Sequence, residues 1–187
     1  LALEELARLA GEVADQYVAE NMPAAGRRFA YLVERLKRGV TRLLAYLQAE
    51  QDQSLFHPAA FEQEIGTGEG AVPPLTLRTP DGRTVQVQGK IDRVDVMERE
   101  GRTYLRVVDY KTGAPKTEFR DLDALFSADS RQRNAAALQT LLYSMMVSRP
   151  TGSDVQPALY YVRRMNDPDY SPLLVEGKRE VFSFAPY

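Results

Sequence analysis

For its first fifty residues the chain repeats its apolar residues every three or four positions, and after His57-Pro58 it repeats them every second position. This switch of period limits what the chain can become more than any single residue does. Leu3, Leu6, Leu9, Val13 and Tyr17 define one helical stripe. Phe29, Leu32, Val33, Leu36, Val40, Leu43, Leu44 and Leu47 define a second, because side chains three and four apart share a helix face. Pro23 and Gly26 punctuate the chain between them. Beyond the switch, stretches at 61–65 and 75–78 read as strands, and Pro80-Asp81-Gly82 as a turn into a longer strand over 84–97. Gly101 marks a turn into a strand over 104–110, so the middle of the chain is expected to be an antiparallel meander. Helical spacing returns over 124–147, with Leu138, Leu141, Leu142, Met145 and Met146 as the stripe, and Pro150-Thr151-Gly152 ends it. Two late strands are expected at 156–162 and 178–184. That order implies a mixed sheet flanked by helices, of α/β or α+β class.

With 187 residues, 44% of them hydrophobic, the chain can bury one sizeable core. One domain is expected over 1–187, with a helical part at 1–50 and a sheet-bearing core at 61–187. The chain opens at Leu1 within a helical pattern, so it is expected to be part of a longer polypeptide. No apolar run approaches the roughly 18 residues that cross a bilayer, so a soluble, cytoplasmic protein without membrane contact is expected. The absence of cysteine excludes disulfides, thiolate zinc sites and cysteine-ligated iron–sulfur clusters within these residues. A metal here must use oxygen ligands or the single histidine, His57. The net charge of -2 supplies no global attraction for a polyanion, so a DNA binder must use local basic pairs. Arg27 with Arg28, Lys37 with Arg38, Arg131 with Arg133, and Arg163 with Arg164 are the candidates, although such pairs are commonly just solvated faces.

Two segments carry chemistry: Gly89-Lys90-Ile91-Asp92-Arg93-Val94-Asp95 and Val107-Val108-Asp109-Tyr110-Lys111-Thr112-Gly113. Strand alternation puts Leu105, Val107, Asp109 and Lys111 on one face, so two charges continue an apolar row. Neighbours on one strand face stand roughly 6.6–7 Å apart, close enough for an ammonium to serve whatever a carboxylate holds. On the preceding strand Asp92 shares its register with Val94 and Val96, whereas Val85 and Val87 occupy the other, which predicts a bulge or sharp twist at Gly89. Asp92 can then meet Asp109, and two facing carboxylates repel unless a cation lies between them. Mg²⁺ or Mn²⁺, with waters in the remaining positions, fits such a pair. A phosphodiester needs an acidified water and charge compensation at phosphorus, and Lys111 is placed to orient or deprotonate that water and steady the developing charge. A lone Asp-X-Lys is more often a surface ion pair; here Gln139 and Tyr143, four apart on one face of the following helix, add context.

Gly-Lys-Ile-Asp-Arg-Val-Asp, then Asp-Tyr-Lys-Thr-Gly, then Gln-X-X-X-Tyr in a helix resembles the RecB-type nuclease domain of the PD-(D/E)XK superfamily, in particular the C-terminal nuclease domain of AddB-like helicase–nuclease subunits. The resemblance covers roughly residues 61–147. It implies a restriction-endonuclease-like core, metal ligation by Asp92, Asp109 and the Tyr110 backbone carbonyl, and a catalytic role for Lys111. Gln139 and Tyr143 match a motif that lines the active site and the DNA path. A magnesium-dependent exodeoxyribonuclease of recombination and double-strand-break repair is implied, acting on DNA ends or single strands beside a helicase subunit or a helicase region of the same polypeptide. Many such domains carry a further histidine ligand on a helix before the sheet, and neither N-terminal stripe here has one. That ligand is expected ahead of Leu1, or Glu62 takes part instead, placed better than Glu64. His57, in a connecting segment before Pro58, reads as a helix-end or loop residue. The stretch 117–133, with Phe119, Arg120, Phe126, Arg131 and Arg133, is either a single-strand DNA contact or a loop anchored by its two phenylalanines. A catalytically inactive nuclease-fold module that binds or scaffolds DNA is the competing reading, and an interaction domain unrelated to nucleic acid is a third.

Overall fold

A computed structural model of the chain describes residues 2–22, 26–114, 116–129, 133–165 and 167–181. They form two compact units, Leu1–Ser54 with Val162–Tyr170, and Leu55–Tyr161 with Ser171–Tyr187. In the first, the two apolar stripes become α1 (Leu3–Asn21) and α2 (Arg27–Gln53). Neither has a side-chain cap; Glu4 and Glu5 in the first turn of α1 complement its dipole. The stripes line one apolar cleft, with Val13 and Tyr17 from α1 and Phe29 and Leu36 from α2, and Lys37 of α2 forms an ion pair with Asp15 of α1. No helix among the described residues is long and apolar enough to cross a membrane.

The second unit is built on a four-stranded sheet. Its strands are β1 (His57–Ile65), β4 (Gly89–Arg99), β5 (Arg102–Lys111) and β7 (Asp154–Tyr161), in the order β1-β4-β5-β7. β1, β4 and β5 pair antiparallel, and β7 joins β5 in parallel. A parallel neighbour needs a crossover, and α4 (Ala135–Thr151) provides it. Ile91, Val94, Leu105, Val107 and Val155 of the sheet form the core with Tyr143, Met146 and Val147 of α4. The mixed sheet flanked by helices is therefore as expected from the sequence.

The pairing departs from the expected meander. β2 (Leu75–Arg78) and β3 (Thr84–Val87) make a separate two-stranded sheet, and β4 pairs with β1, across that hairpin. The strand expected over 84–97 is broken at Gln88, so the face switch read at Gly89 is a break between two sheets instead of a bulge within one strand. The register shift lies in β1, between Pro58 and Ala60. His57 opens that strand opposite Val96 and is not in a connecting segment.

The helix expected over 124–147 is two helices, α3 (Leu122–Leu125) and α4. Local hydrogen bonding explains the break: Asn134 accepts from the Ala137 N–H to cap α4, while its own amide donates to the carbonyls of Lys116 and Glu118. A cap that is also tied to an incoming strand cannot continue a helix backwards. α4 ends at Gly152, whose φ of 66° suits a residue without a β-carbon. The last strands are short. β6 (Glu118–Phe119), β8 (Val175–Glu176) and β9 (Arg179–Glu180) form a small sheet in the order β6-β8-β9, and the remainder of the expected strand at 178–184 lies outside the described residues from 182 onward.

Candidate active site

The register of β4 against β5 pairs Val94 with Val107 and Val96 with Leu105, and cross-strand partners share a sheet face. That apolar row is the face covered by α4. One step past the last pair, Arg93 with Val108, the same face carries Asp92 and Asp109, and Lys111 follows on β5. The ladder between β4 and β5 stops at this point, β4 running on with β1 and β5 with β7. The Asp92 side chain spans the split, its Oδ2 accepting the Tyr110 N–H at 2.8 Å.

Asp109 is buried at 3% exposure. The Lys111 ammonium lies 2.5 Å from its Oδ2 as an ion pair. Burial pushes the Asp109 carboxyl above its ordinary value of 3.8; Lys111 opposes the rise, and the negative charge of Asp92 adds to it. Lys111 Nζ donates to Gln139 Oε1 at 3.1 Å, and Gln139 Nε2 donates to the Tyr143 hydroxyl at 3.2 Å. An unbroken line of polar groups thus runs from the buried acid on β5 to the α4 face. Gly89 completes it, because a β-carbon there would stand 2.5 Å from the Tyr143 hydroxyl.

The donors are hard oxygens, with the buried Asp109 carboxylate close enough to that of Asp92 to feel its charge. Such a set suits a small divalent cation whose other positions are filled by water. Asp92, Asp109 and the Tyr110 carbonyl could hold it; among the described residues no group of three or more His, Cys, Asp or Glu side chains converges for this purpose. Asp92, Asp109, Lys111, Gln139 and Tyr143 are therefore brought together. Glu62 is not brought to them: it lies between Phe61 and Gln63, which pair with Arg93 and Ile91 of β4, but its side chain is exposed and accepts from Lys90 Nζ at 2.9 Å. Its φ of 52°, unusual for a strand residue, re-aims that side chain. His57 stands exposed at the opposite end of β1. Arg133 is exposed just before α4, and Arg131 lies outside the described residues. Of the two phenylalanines nearby, Phe119 is buried, whereas Phe126 is 69% exposed.

Two features of the site go beyond what the sequence pattern suggests. At Gly89 the backbone argument does not anticipate the tyrosine that packs on it. On the opposite face of the same strands, Arg93, Asp95 and Arg106 form a buried charged triad, with Asp95 Oδ2 accepting from Arg93 at 2.9 Å and from Arg106 at 3.0 Å. A signal for the triad is present in the sequence: Arg93 and Asp95 alternate with the valines of β4, which marks a second strand face that is charged and flanked by apolar residues.

The sequence profile of the PD-(D/E)XK nuclease superfamily matches residues 1–184. Among curated relatives, the chain is 31% identical over 82% of its length to an ATP-dependent helicase/deoxyribonuclease subunit of Clostridium acetobutylicum, covering 12% of that protein. It is 36% identical over 62% of its length to the like-named protein of Acetivibrio thermocellus, covering 11% of it. It is 34% identical over 64% of its length to that of Ruminiclostridium cellulolyticum, covering 10%. The chain thus spans roughly a tenth of the length of these relatives. The match of almost the whole chain to one nuclease profile agrees with a site in which two carboxylates and a lysine share a sheet face beside a Gln-X-X-X-Tyr helix, and the chain belongs to the PD-(D/E)XK nuclease superfamily.

Proposed function

We propose that this chain hydrolyses DNA phosphodiester bonds with Mg²⁺ or Mn²⁺, as the nuclease part of an ATP-dependent helicase–nuclease that trims DNA ends or single strands in recombination and double-strand-break repair. The observation that carries the reading is the buried Asp109 carboxylate, set on one sheet face with Asp92 and paired with Lys111. Lys111 offsets only part of the cost of burying this charge, since the Asp109 carboxyl is still held above its ordinary value, and a divalent cation would supply the remaining compensation. When bound, the divalent ion supplies a more acidic water and charge compensation at phosphorus. Asp92, fixed by the Tyr110 amide, and Asp109 would hold the cation. Lys111, held by Gln139, orients the attacking water and stabilises the negative charge that develops on the phosphoryl oxygens. Tyr143 positions Gln139. The names of the relatives support a DNA substrate and a helicase partner, as a separate subunit or in the same polypeptide. The match of the profile to residues 1–184 supports one nuclease domain that includes the helical residues 1–50.

The test is cleavage of linear DNA in Mg²⁺ buffer by the wild type, Asp109→Ala and Lys111→Ala, with calorimetric titration of Mn²⁺ into each. Both variants should retain the fold, Asp109→Ala should lose cleavage and the Mn²⁺ site, and Lys111→Ala should cleave on the order of 10²–10³-fold more slowly. Cleavage at the wild-type rate in both variants would remove the proposal. A second reading, a module that binds DNA without cutting it, draws on the two-carboxylate donor set, smaller than three side chains. It predicts that the wild type binds a DNA end but shows no Mn²⁺ uptake that Asp92→Ala abolishes.

A further inference from the structure

We infer that Arg93, on the face of the sheet opposite the acids, positions the Tyr110 peptide and through it the Asp92 carboxylate. The inference rests on the metal reading above for its consequence, not for its geometry. Where the β4–β5 ladder ends, no further β4–β5 main-chain pair follows Arg93 with Val108. Two side chains, adjacent on β4, reach over the split to the same residue of β5. Asp92 accepts the Tyr110 N–H at 2.8 Å on one face, and Arg93 Nη1 donates to the Tyr110 hydroxyl at 2.8 Å on the other. Because alternate strand residues point to opposite faces, Asp92 and Arg93 grip Tyr110 from both sides. Its amide, hydroxyl and ring are thereby all engaged.

Arg93 is itself tightly held. Its guanidinium binds Asp95, with Nη2 donating to Oδ2 at 2.9 Å and Nε 2.8 Å from Oδ1. It lies 5.7 Å from the Tyr110 ring centroid and 5.2 Å from that of Tyr160, the β7 residue paired with Tyr110. Asp95 in turn is shared with Arg106, whose guanidinium stacks over Phe56 at 4.7 Å. The planar, fork-shaped cation is thereby held in an orientation that places Nη1 on the Tyr110 hydroxyl. A flexible ammonium could neutralise Asp95 without fixing Tyr110. The chemistry needs the peptide fixed, since the Tyr110 amide sets the direction of Asp92 and its carbonyl is a candidate donor to the same cation. Arg93 is a positioning residue here, since it touches neither substrate nor metal.

The test uses Tyr110→Phe, which keeps the ring and removes only the hydroxyl, and Arg93→Lys, which keeps the charge. Two readouts are taken on the whole chain: hydrogen exchange of the residue-110 amide by NMR in metal-free protein, and the Mn²⁺ dissociation constant by calorimetry. Both variants should speed exchange of that amide and weaken Mn²⁺ binding, each by about tenfold, the order expected for one charge-assisted hydrogen bond. Met97→Ala, at a buried residue of β4 on the Arg93 face four ladder pairs away, controls for general loosening and should lower Tm with Mn²⁺ affinity unchanged. Wild-type exchange and affinity in Tyr110→Phe, or an equal loss of affinity in Met97→Ala, would overturn the inference. Failure of the wild type to bind Mn²⁺ would instead sink the metal reading, and the amide exchange would still judge the tether.

Discussion

The Tyr143 hydroxyl occupies the space that a side chain at Gly89 would need: a β-carbon built there stands 2.5 Å from it and 3.1 Å from the ring carbon that bears it. Gly89→Ala therefore forces the tyrosine outward, and with it Gln139, which donates to that hydroxyl. Overpacking of this kind costs about 1–3 kcal/mol. Thermal denaturation should show Tm falling by roughly 2–4 °C per kcal/mol lost in a chain of this size. Part of the loss should return in Gly89→Ala/Tyr143→Phe, so a double-mutant cycle with no coupling between the two sites would contradict the contact.

Asp109→Asn should raise Tm in metal-free protein while abolishing cleavage. Burial, with Asp92 adding to it, outweighs Lys111, so the folded-state pKa of Asp109 exceeds its ordinary value of 3.8. A carboxyl shifted upward stabilises the fold fully below its unfolded value, and that contribution is lost as pH rises through its folded value. Near neutrality the ionised group opposes folding, and the amide removes the opposition. The Tm advantage of Asp109→Asn should therefore shrink as pH falls through the raised value toward 3.8, which denaturation scans across acidic pH will follow.

Asp95→Ala should be the most destabilising substitution in the sheet. Asp95 has 0% exposure and is the shared partner of Arg93 and Arg106, so its loss leaves two cations buried around an empty centre. Breaking a buried charge network by removing one partner costs about 3–5 kcal/mol. Urea unfolding with an unchanged slope and a loss well under 1 kcal/mol would show that the triad is not required for stability.

Lys111→Ala and Gln139→Leu should separate catalysis from binding. Removing a preorganised donor to developing charge costs on the order of 10²–10³ in kcat, and removing the residue that holds it costs less, about tenfold. DNA affinity measured in Ca²⁺ should change by less than about threefold in either, because most binding to DNA comes from phosphate contacts elsewhere. Single-turnover kinetics on a linear substrate give the first quantity, and fluorescence anisotropy the second.

The amino-acid order alone determined that Asp92 shares a strand face with Val94 and Val96, that Asp109 and Lys111 share one with Leu105 and Val107, and that Gln139 and Tyr143 share a face of the following helix. All follow from local geometry, the two-residue repeat of a strand and the near-four-residue repeat of a helix, which no distant contact alters. The two N-terminal helices were legible for the same reason. Tertiary structure alone decided that β4 pairs with β1 past an intervening hairpin, that Asn134 divides the expected long helix by binding the carbonyls of Lys116 and Glu118, and that Glu62 turns to Lys90. It also decided that Arg93, Asp95 and Arg106 gather behind the acids. Each of these depends on which segments meet across long stretches of chain, and strand partners and buried charge pairs are chosen by the whole core's packing, a quantity that a local repeat does not encode.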